Sequence, residues 1–147
     1  MKLFSSLINT CFFIGMTPLA PGTFGSIFAL TIWLFFSPPL TLMIISLLLL
    51  IFLSYITILF ELRDTDDKDP QHIVIDEAIG MWIALLFISP VNFLSIASAF
   101  IIFRMLDIFK PSIIGRSEKI QGAGGILMDD ILSGMITCMV CLGISSI

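Results

Sequence analysis

The sequence has few charged residues for its length. Only 12% of its 147 residues are charged, whereas 58% are hydrophobic and the mean hydropathy is +1.12. Soluble domains contain roughly 45–50% apolar residues, so this composition excludes an ordinary soluble fold. It predicts one small integral membrane domain over residues 1–147. Because the net charge is −4, we expect no nucleic-acid partner.

Histidine and cysteine are also scarce. His72 is the single histidine, which excludes lipid phosphatases with a histidine nucleophile, since these need more than one histidine. Cys138 and Cys141 have the C-x-x-C spacing, but they lie in an apolar segment without a second cysteine pair, and Cys11 stands alone. Packing between membrane helices therefore explains the cysteines better than zinc or redox chemistry does.

Apolar sequence, by contrast, is abundant. It forms five runs, at residues 24–36, 40–60, 73–88, 93–103 and 126–147. Only the second and the last reach the roughly 20 residues of a standard membrane span. Pro38-Pro39 and Ser89-Pro90 interrupt the pattern as helix ends do. We predict an all-α integral membrane bundle of about four spanning helices, arranged as two hairpins and a last helix. An N-terminal interfacial or buried helix is expected over residues 1 to about 15.

The charged residues fall on one side of this predicted bundle. The turns of the two hairpins, at residues 37–40 and 89–92, contain no charge. Lysine and arginine therefore occur only on the opposite side, which the positive-inside rule makes cytoplasmic. We expect a multi-pass protein whose polar site faces the cytoplasm.

The acids need a separate explanation. Asp76 and Glu77 begin one apolar run, and Asp129 and Asp130 lie near the start of the last run. At about 1.5 Å per helical residue, and with a hydrocarbon core of about 30 Å, these four acids lie near the cytoplasmic boundary. Carboxylates there are costly and usually face the interior of a bundle or a water-filled site with partners. We therefore expect them to face a cation.

Two glycines follow these acids at helical spacing. Gly80 comes four residues after Asp76, and Gly134 comes four residues after Asp130. Residues four apart lie on the same helical face. A glycine one turn after each acid would let two helices approach closely.

A glycine-rich segment without helical character precedes the first long apolar run. Residues 17–26 read Thr-Pro-Leu-Ala-Pro-Gly-Thr-Phe-Gly-Ser. Proline and glycine should exclude helix here until Thr23 or Ser26 caps the next one, which leaves backbone amides free to face a phosphate. No G-K-[ST] follows, so the segment is not a P-loop.

Four segments together resemble the successive motifs of one family. They are Ala-Pro-Gly-Thr-Phe-Gly-Ser at 20–26, Asp-Pro-Gln-His-Ile-Val-Ile-Asp-Glu-Ala-Ile-Gly-Met-Trp at 69–82, Phe-Arg-Met-Leu-Asp-Ile-Phe-Lys-Pro at 103–111 and Gly-Gly-Ile-Leu-Met-Asp-Asp-Ile-Leu-Ser-Gly at 124–134. In order and spacing they are similar to phosphatidylglycerophosphatase A over nearly the whole chain. The resemblance implies a magnesium-dependent phosphatase domain of the bacterial inner membrane that converts phosphatidylglycerophosphate to phosphatidylglycerol.

The motifs and the residue chemistry together name the candidate site residues. The candidate catalytic residues are Asp76, Glu77, Asp129, Asp130 and Arg104. The same four acids are the candidate metal ligands, because carboxylate oxygens without histidine or cysteine partners favour Mg²⁺. The candidate substrate-binding residues are Gly22, Thr23, Gly25, Ser26, Lys110 and Arg116. Asp107, three residues after Arg104, is expected to orient that arginine.

Two alternatives remain open. A CDP-alcohol phosphatidyltransferase is also a magnesium enzyme of membranes, although its D-G-x-x-A-R element is absent. A small divalent-cation transporter would also bury acids in helices, but it would place them near the membrane midplane rather than at one surface. The sequence gives no oligomeric state.

Overall fold

The described part of the chain folds into helices. The structure, a computed structural model, describes residues 2–63, 67, 70–111, 114, 120 and 122–145, and it has no strand in these residues. The elements in chain order are α1 (Lys2–Asn9), a short 3₁₀ helix (Ile14–Met16), α2 (Pro21–Phe36), α3 (Leu40–Glu61), α4 (Ile75–Ala84), α5 (Phe93–Phe109) and α6 (Ala123–Ser145). The all-α prediction is confirmed.

The predicted breaks between helices are present. Ser37 follows α2 with a φ of 40°, and α3 begins only after Pro39. Before α5, the side chain of Asn92 accepts a hydrogen bond of 3.1 Å from the amide of Ser95 and so caps the helix. Proline and a polar cap therefore end and start these helices where the sequence pattern indicates.

The N-terminal helix is shorter than the sequence predicts. α1 ends at Asn9 rather than near residue 15. The residues that follow, Cys11, Phe12 and Phe13, have φ values of 47°, 59° and 68°. Left-handed residues cannot continue a right-handed helix, so the chain turns here before the 3₁₀ helix.

α2 begins earlier than predicted. Its first residue is Pro21, and its N-cap is Ala20, which makes no side-chain capping bond. Neither Thr23 nor Ser26 caps the helix, because both lie inside it. Proline suits the first helical position, since it lacks the amide hydrogen that would be unpaired there and its φ is already helical.

Two helices are long and apolar enough to cross a membrane. They are α3, with 22 residues and a mean hydropathy of 2.8, and 22 residues of α6, Ala123–Ile144, with a mean hydropathy of 1.7. At about 1.5 Å per residue each extends about 33 Å, against a hydrocarbon core of about 30 Å. The other helices of the predicted bundle, α2, α4 and α5, have 16, 10 and 17 residues. Two spans are thus supported by length and composition, and four spans stay a prediction.

α4 lies at the centre of the helix packing. It packs against α2 and α6 most extensively and also against α3 and α5. Eight of its ten residues are buried. The indole Nε1 of Trp82 donates a hydrogen bond of 2.8 Å to the carbonyl of Ala29, which ties α4 to α2. Ten residues extend only about 15 Å, so α4 is a buried helix that is shorter by itself than a hydrocarbon core of about 30 Å.

α4 and α6 cross in contact at two glycines. A Cβ atom on Gly134 would overlap the backbone carbonyl of Gly80. A Cβ atom on Gly80 would lie 2.7 Å from the carbonyl oxygen of Asp130 and 2.6 Å from the ring of Phe103. Only glycine permits such an approach of two backbones. The prediction that the glycine after each acid brings two helices together is confirmed.

We expect Gly134→Ala to destabilise the protein, because the added methyl group has no space beside the Gly80 carbonyl. Forced overpacking of this kind costs about 1–3 kcal/mol. Gly143→Ala in the same helix is the matched control, since a Cβ atom there meets no atom within 4 Å. Alanine favours helix over glycine by about 1 kcal/mol, so the control should be neutral or stabilising. Thermal unfolding in detergent measures both, and equal Tm values for the two variants would contradict the close crossing.

Candidate active site

Four acidic side chains of α4 and α6 line one cavity. Asp76 and Glu77 lie in the first turn of α4, and Asp129 and Asp130 lie near the start of α6. One carboxylate oxygen from each of Asp76, Glu77 and Asp130 lies within 4.8 Å of the other two. The glycine crossing one turn further along each helix holds the two pairs together. The acids that the sequence singled out therefore share one site.

The cavity has a volume of about 380 Å³. Besides the four acids, its wall contains the start of α2, the segment before α4, and three residues at the end of α5, which are Arg104, Asp107 and Lys110. Elements that are distant in sequence thus contribute to a single polar space.

Two basic side chains face the acids. Nη1 of Arg104 lies 2.6 Å from Oδ2 of Asp107 and donates a hydrogen bond of 3.3 Å to Oγ of Ser26. Nζ of Lys110 donates a hydrogen bond of 2.7 Å to Oδ2 of Asp129. Arg104 is therefore oriented both by its own helix, as expected from the spacing of Asp107, and by α2.

Several polar atoms in this cavity are buried without a hydrogen-bond partner in the described part of the chain. They are Oδ1 of Asp76, Oε2 of Glu77, Oδ1 of Asp130 and Nε of Arg104. An unpaired buried carboxylate is costly unless a cation or a proton neutralises it. Burial raises the pKa of both Asp76 and Glu77 above the ordinary carboxyl range, and the neighbouring charge of Glu77 raises the pKa of Asp76 further.

The donor set fits a hard divalent cation. Three carboxylates from two helices offer oxygen atoms within 4.8 Å of one another, and each retains an oxygen without a hydrogen-bond partner in the described residues. Oxygen ligands of this kind are those that Mg²⁺ and Ca²⁺ prefer. The three residues that could hold the ion are Asp76, Glu77 and Asp130.

Gly22 provides space on the α2 side of the cavity. A Cβ atom there would overlap Oε1 of Glu77 and would lie 3.3 Å from Nη2 of Arg104. A side chain at this position would therefore displace either an acid or the arginine. The start of α2 can approach both only because residue 22 is glycine.

The other predicted substrate-binding residues lie in different surroundings. The amide of Thr23 donates to the carbonyl of Ala20 at 3.0 Å, so it is not free as the sequence pattern indicated. Gly25 packs against Val74, and Ser26 is buried with its hydroxyl donating to the carbonyl of Gly22 at 2.9 Å. These three residues do not line the cavity, although Ser26 contacts Arg104.

The structure thus separates the candidates into groups. The four acids, Arg104, Lys110 and Gly22 line the cavity. Thr23, Gly25 and Ser26 lie further along α2 and do not line the cavity. Arg116 lies outside the described residues, so its role in substrate binding stays a prediction.

Three wall residues were not anticipated from the sequence. Pro70, Gln71 and Ile73 come just before α4 and line the cavity. The only signal for them was their position a few residues before Asp76, within the second of the four motifs.

The chain is similar to a known family over nearly its whole length. A family model described as phosphatidylglycerophosphatase A matches residues 7–145. A protein of Escherichia coli (strain K12) named phosphatidylglycerophosphatase A is 34% identical over 125 residues, which cover 84% of this chain and 73% of the relative. A protein of Haemophilus influenzae with the same name is 34% identical over 141 residues, which cover 88% and 82%.

A third relative carries a different name. A protein of Bacteroides thetaiotaomicron, named as a proposed phosphatidylinositol-3-phosphatase, is 36% identical over 137 residues, which cover 88% of this chain and 86% of the relative. No solved structure matches the chain. Because the family match covers nearly the whole chain and the relatives align over most of their own length, the chain belongs to the phosphatidylglycerophosphatase A family and is a phosphatase.

Proposed function

We propose that this phosphatase hydrolyses the terminal phosphate monoester of phosphatidylglycerophosphate to give phosphatidylglycerol and phosphate, with Mg²⁺ as its cofactor. The observation that carries the proposal is the cavity in which oxygens of Asp76, Glu77 and Asp130 lie within 4.8 Å of one another and Arg104 faces them. The family match supplies the reaction class, and the names of two relatives supply the substrate.

The charge of the cavity supports the need for a divalent cation. Among the described residues, five acids and two bases line it, so it carries an excess of three negative charges when all are ionised. A phosphate monoester brings about −1.5 to −2 further charges at pH 7. Without a cation the substrate would be repelled. An ion held by Asp76, Glu77 and Asp130 would remove most of that repulsion.

Arg104 and the start of α2 are our candidates for binding the phosphate. Nε of Arg104 has no partner in the described residues, while Nη1 is held by Asp107 and Ser26. Guanidinium donors match phosphate oxygens in geometry and charge. The N-terminus of a helix also favours anions, and the first residues of α2 line the cavity.

The carboxylates have two proposed roles. Asp76 and Asp130 are our candidate ligands, and Glu77 is a candidate ligand or general base. Asp129, whose Oδ2 accepts a hydrogen bond from Lys110, lies outside this group of three, and its role as a ligand stays a prediction. When bound, Mg²⁺ would stabilise the charge that develops on the phosphoryl oxygens. Glu77 would accept a proton from the attacking water as the water oxygen forms its bond to phosphorus. The phosphorus–oxygen bond to glycerol breaks in line, the leaving oxygen takes up a proton from solvent water, and Glu77 returns its proton to solvent.

The Bacteroides relative supplies a second candidate substrate. Its name gives a phosphoinositide as the lipid acted on, and it is similar to this chain over 88% of the chain's length. Phosphatidylinositol 3-phosphate and phosphatidylglycerophosphate both carry a phosphate monoester on a lipid headgroup. The proposed chemistry is the same for both, so substrate preference must be measured directly.

Phosphate release from purified protein tests the substrate and the metal together. We expect release from phosphatidylglycerophosphate in the presence of Mg²⁺ and none after chelation, because the acids would then repel the substrate. Phosphatidylinositol 3-phosphate, phosphatidic acid and soluble glycerol phosphate should be poorer substrates. Faster release from phosphatidylinositol 3-phosphate would favour the second candidate. Release without metal, or a preference for the soluble ester, would contradict both.

Arg104→Lys should lower kcat/KM. A single ammonium group cannot hold Asp107, Ser26 and a phosphate oxygen in the geometry of a guanidinium. A charge-assisted hydrogen bond is worth about 1.5–3 kcal/mol, which corresponds to a loss of roughly 10- to 150-fold. Arg63→Lys is the matched control, since Arg63 is exposed and its guanidinium carbon lies 4.9 Å from the ring centroid of Phe60. An equal loss of kcat/KM in both variants would contradict the proposed role of Arg104.

We further propose that the chain is a multi-pass protein of a bacterial inner membrane with the cavity on the cytoplasmic side. The two long apolar helices and the one-sided distribution of lysine and arginine support this topology. In a background with the three native cysteines replaced by serine, a cysteine at Ser37 or Asn92 should react with a membrane-impermeant thiol reagent in intact cells. A cysteine at Thr23 should be protected. Labelling of Thr23 and Ser37 from the same side would overturn this topology.

A further inference from the structure

A second polar cluster lies away from the cavity and joins α1, α3 and the segment before α4. Glu61, the last residue of α3, contacts two side chains: its Oε1 lies 2.5 Å from Nε2 of His72, and its Oε2 accepts a hydrogen bond from Nδ2 of Asn9. Oδ1 of Asn9 accepts a hydrogen bond of 2.6 Å from Oγ1 of Thr57. We call these four residues, Asn9, Thr57, Glu61 and His72, the Glu61 clamp.

The hydrogen bonds of the clamp are mutually dependent. Asn9 is fully buried and uses both its amide nitrogen and its amide oxygen. An ionised carboxylate only accepts, so its contact with His72 requires the ring hydrogen on Nε2. Asn9 and Thr57 are buried, whereas the side chains of Glu61 and His72 are 19% and 42% exposed. Removing one member therefore leaves Asn9 or the half-buried Glu61 carboxylate without one of its partners.

The clamp is connected to the start of α4 through the backbone. The carbonyl of Asn9 accepts a hydrogen bond of 2.8 Å from the amide of Val74, the residue that precedes α4. The carbonyl of Val74 accepts the first bond of that helix, from Ala78 at 3.2 Å, and the thiol of Cys11 lies 3.8 Å from the same oxygen. Val74 is therefore held at its amide by Asn9, the last residue of α1, and contacted at its carbonyl by Cys11, two residues further along.

The segment before α4 is fixed at a second point two residues earlier. His72 is held by Glu61, and a Cβ atom on Gly15 would overlap the His72 carbonyl, so the backbone is packed tightly there as well. Ile73 lies between these two fixed residues, and Gln71 lies directly before His72. Both Gln71 and Ile73 line the cavity. The first turn of α4, with the acids of the site, follows directly. A shift of His72 or Val74 would therefore move the cavity wall and the acids together.

We propose that Asn9, Glu61 and His72 are positioning residues of the phosphatase reaction. None of them lines the cavity. Through Val74 and His72 they set where Asp76 and Glu77 stand relative to Asp130 on α6. The proposal rests on the proposed function, because it assigns these residues to the reaction at that site.

His72→Ala and His72→Gln form the central test. Glutamine can offer an amide hydrogen near the position of Nε2 and keep the contact with Glu61, whereas alanine cannot. We expect kcat of His72→Ala to fall about 10- to 100-fold, as for other residues that orient the groups of a site. At saturating Mg²⁺, KM should stay near that of the wild type, because the phosphate-binding residues of α2 and α5 are untouched. His72→Gln should recover most of the lost kcat.

Asn92→Ala is the matched control for a purely structural role. It removes the side-chain hydrogen bond that caps α5, at a place where no residue lines the cavity. We expect it to lower Tm and leave kcat per folded molecule unchanged. The folded fraction of every variant is measured by size-exclusion chromatography and by thermal unfolding. The assay uses the full chain in mixed micelles containing phosphatidylglycerophosphate and Mg²⁺.

The outcomes separate the two levels of the proposal. If the wild type releases no phosphate from phosphatidylglycerophosphate, the proposed function fails. If the wild type is active and His72→Ala keeps its kcat per folded molecule, only the clamp proposal fails. Should His72→Ala not fold, the variant Glu61→Gln tests the clamp proposal instead. It keeps the size of the side chain and replaces one accepting oxygen by a donor, so kcat should fall with folding preserved, and an unchanged kcat would overturn the proposal.

Discussion

The contact between the backbones of Gly80 and Gly134 is the constraint on which the rest of the site depends. Packed helices usually lie about 8–10 Å apart because side chains separate them. Here a Cβ atom on Gly134 would overlap the carbonyl of Gly80, so α4 and α6 touch directly. The carboxylates one turn earlier, Asp76 and Asp130, are thereby forced together although like charges repel. Helix packing, rather than any attraction between the acids, holds the cluster in place.

The remaining elements complete the site around this crossing. α5 contributes both basic side chains, and α2 contributes a first turn that can approach Glu77 and Arg104 only because residue 22 is glycine. α1 and α3 do not line the cavity, but their ends hold the residue that starts α4. α4 is short and almost entirely buried, so its position is decided by these neighbours on every side. Two of the acids of this negatively charged site therefore lie on α4, the helix whose position depends most on its neighbours.

Much of this arrangement follows from local sequence signals. The breaks before Leu40 and Phe93, the paired acids and the glycines one turn after them are visible in the sequence, because proline and helical spacing act within a few residues. The end of α1 at Asn9 was not predictable, since the left-handed residues after it are not glycines and their turn is stabilised by tertiary contacts such as that with Val74. The cavity wall before α4 and the partner of His72 likewise depend on which helices meet. The number of spans and the role of each acid stay predictions, because length and proximity alone do not decide them.

The glycine crossing also restricts how this sequence can change. In most helix contacts a larger side chain on one helix can be accommodated by a smaller one on the other, so paired substitutions preserve the fit. That exchange is impossible where both partners are already the smallest residue. A side chain at residue 80 or 134 meets main-chain atoms that no substitution opposite can remove. Any variant that replaces either glycine must therefore move a whole helix, and the acids one turn away would move with it.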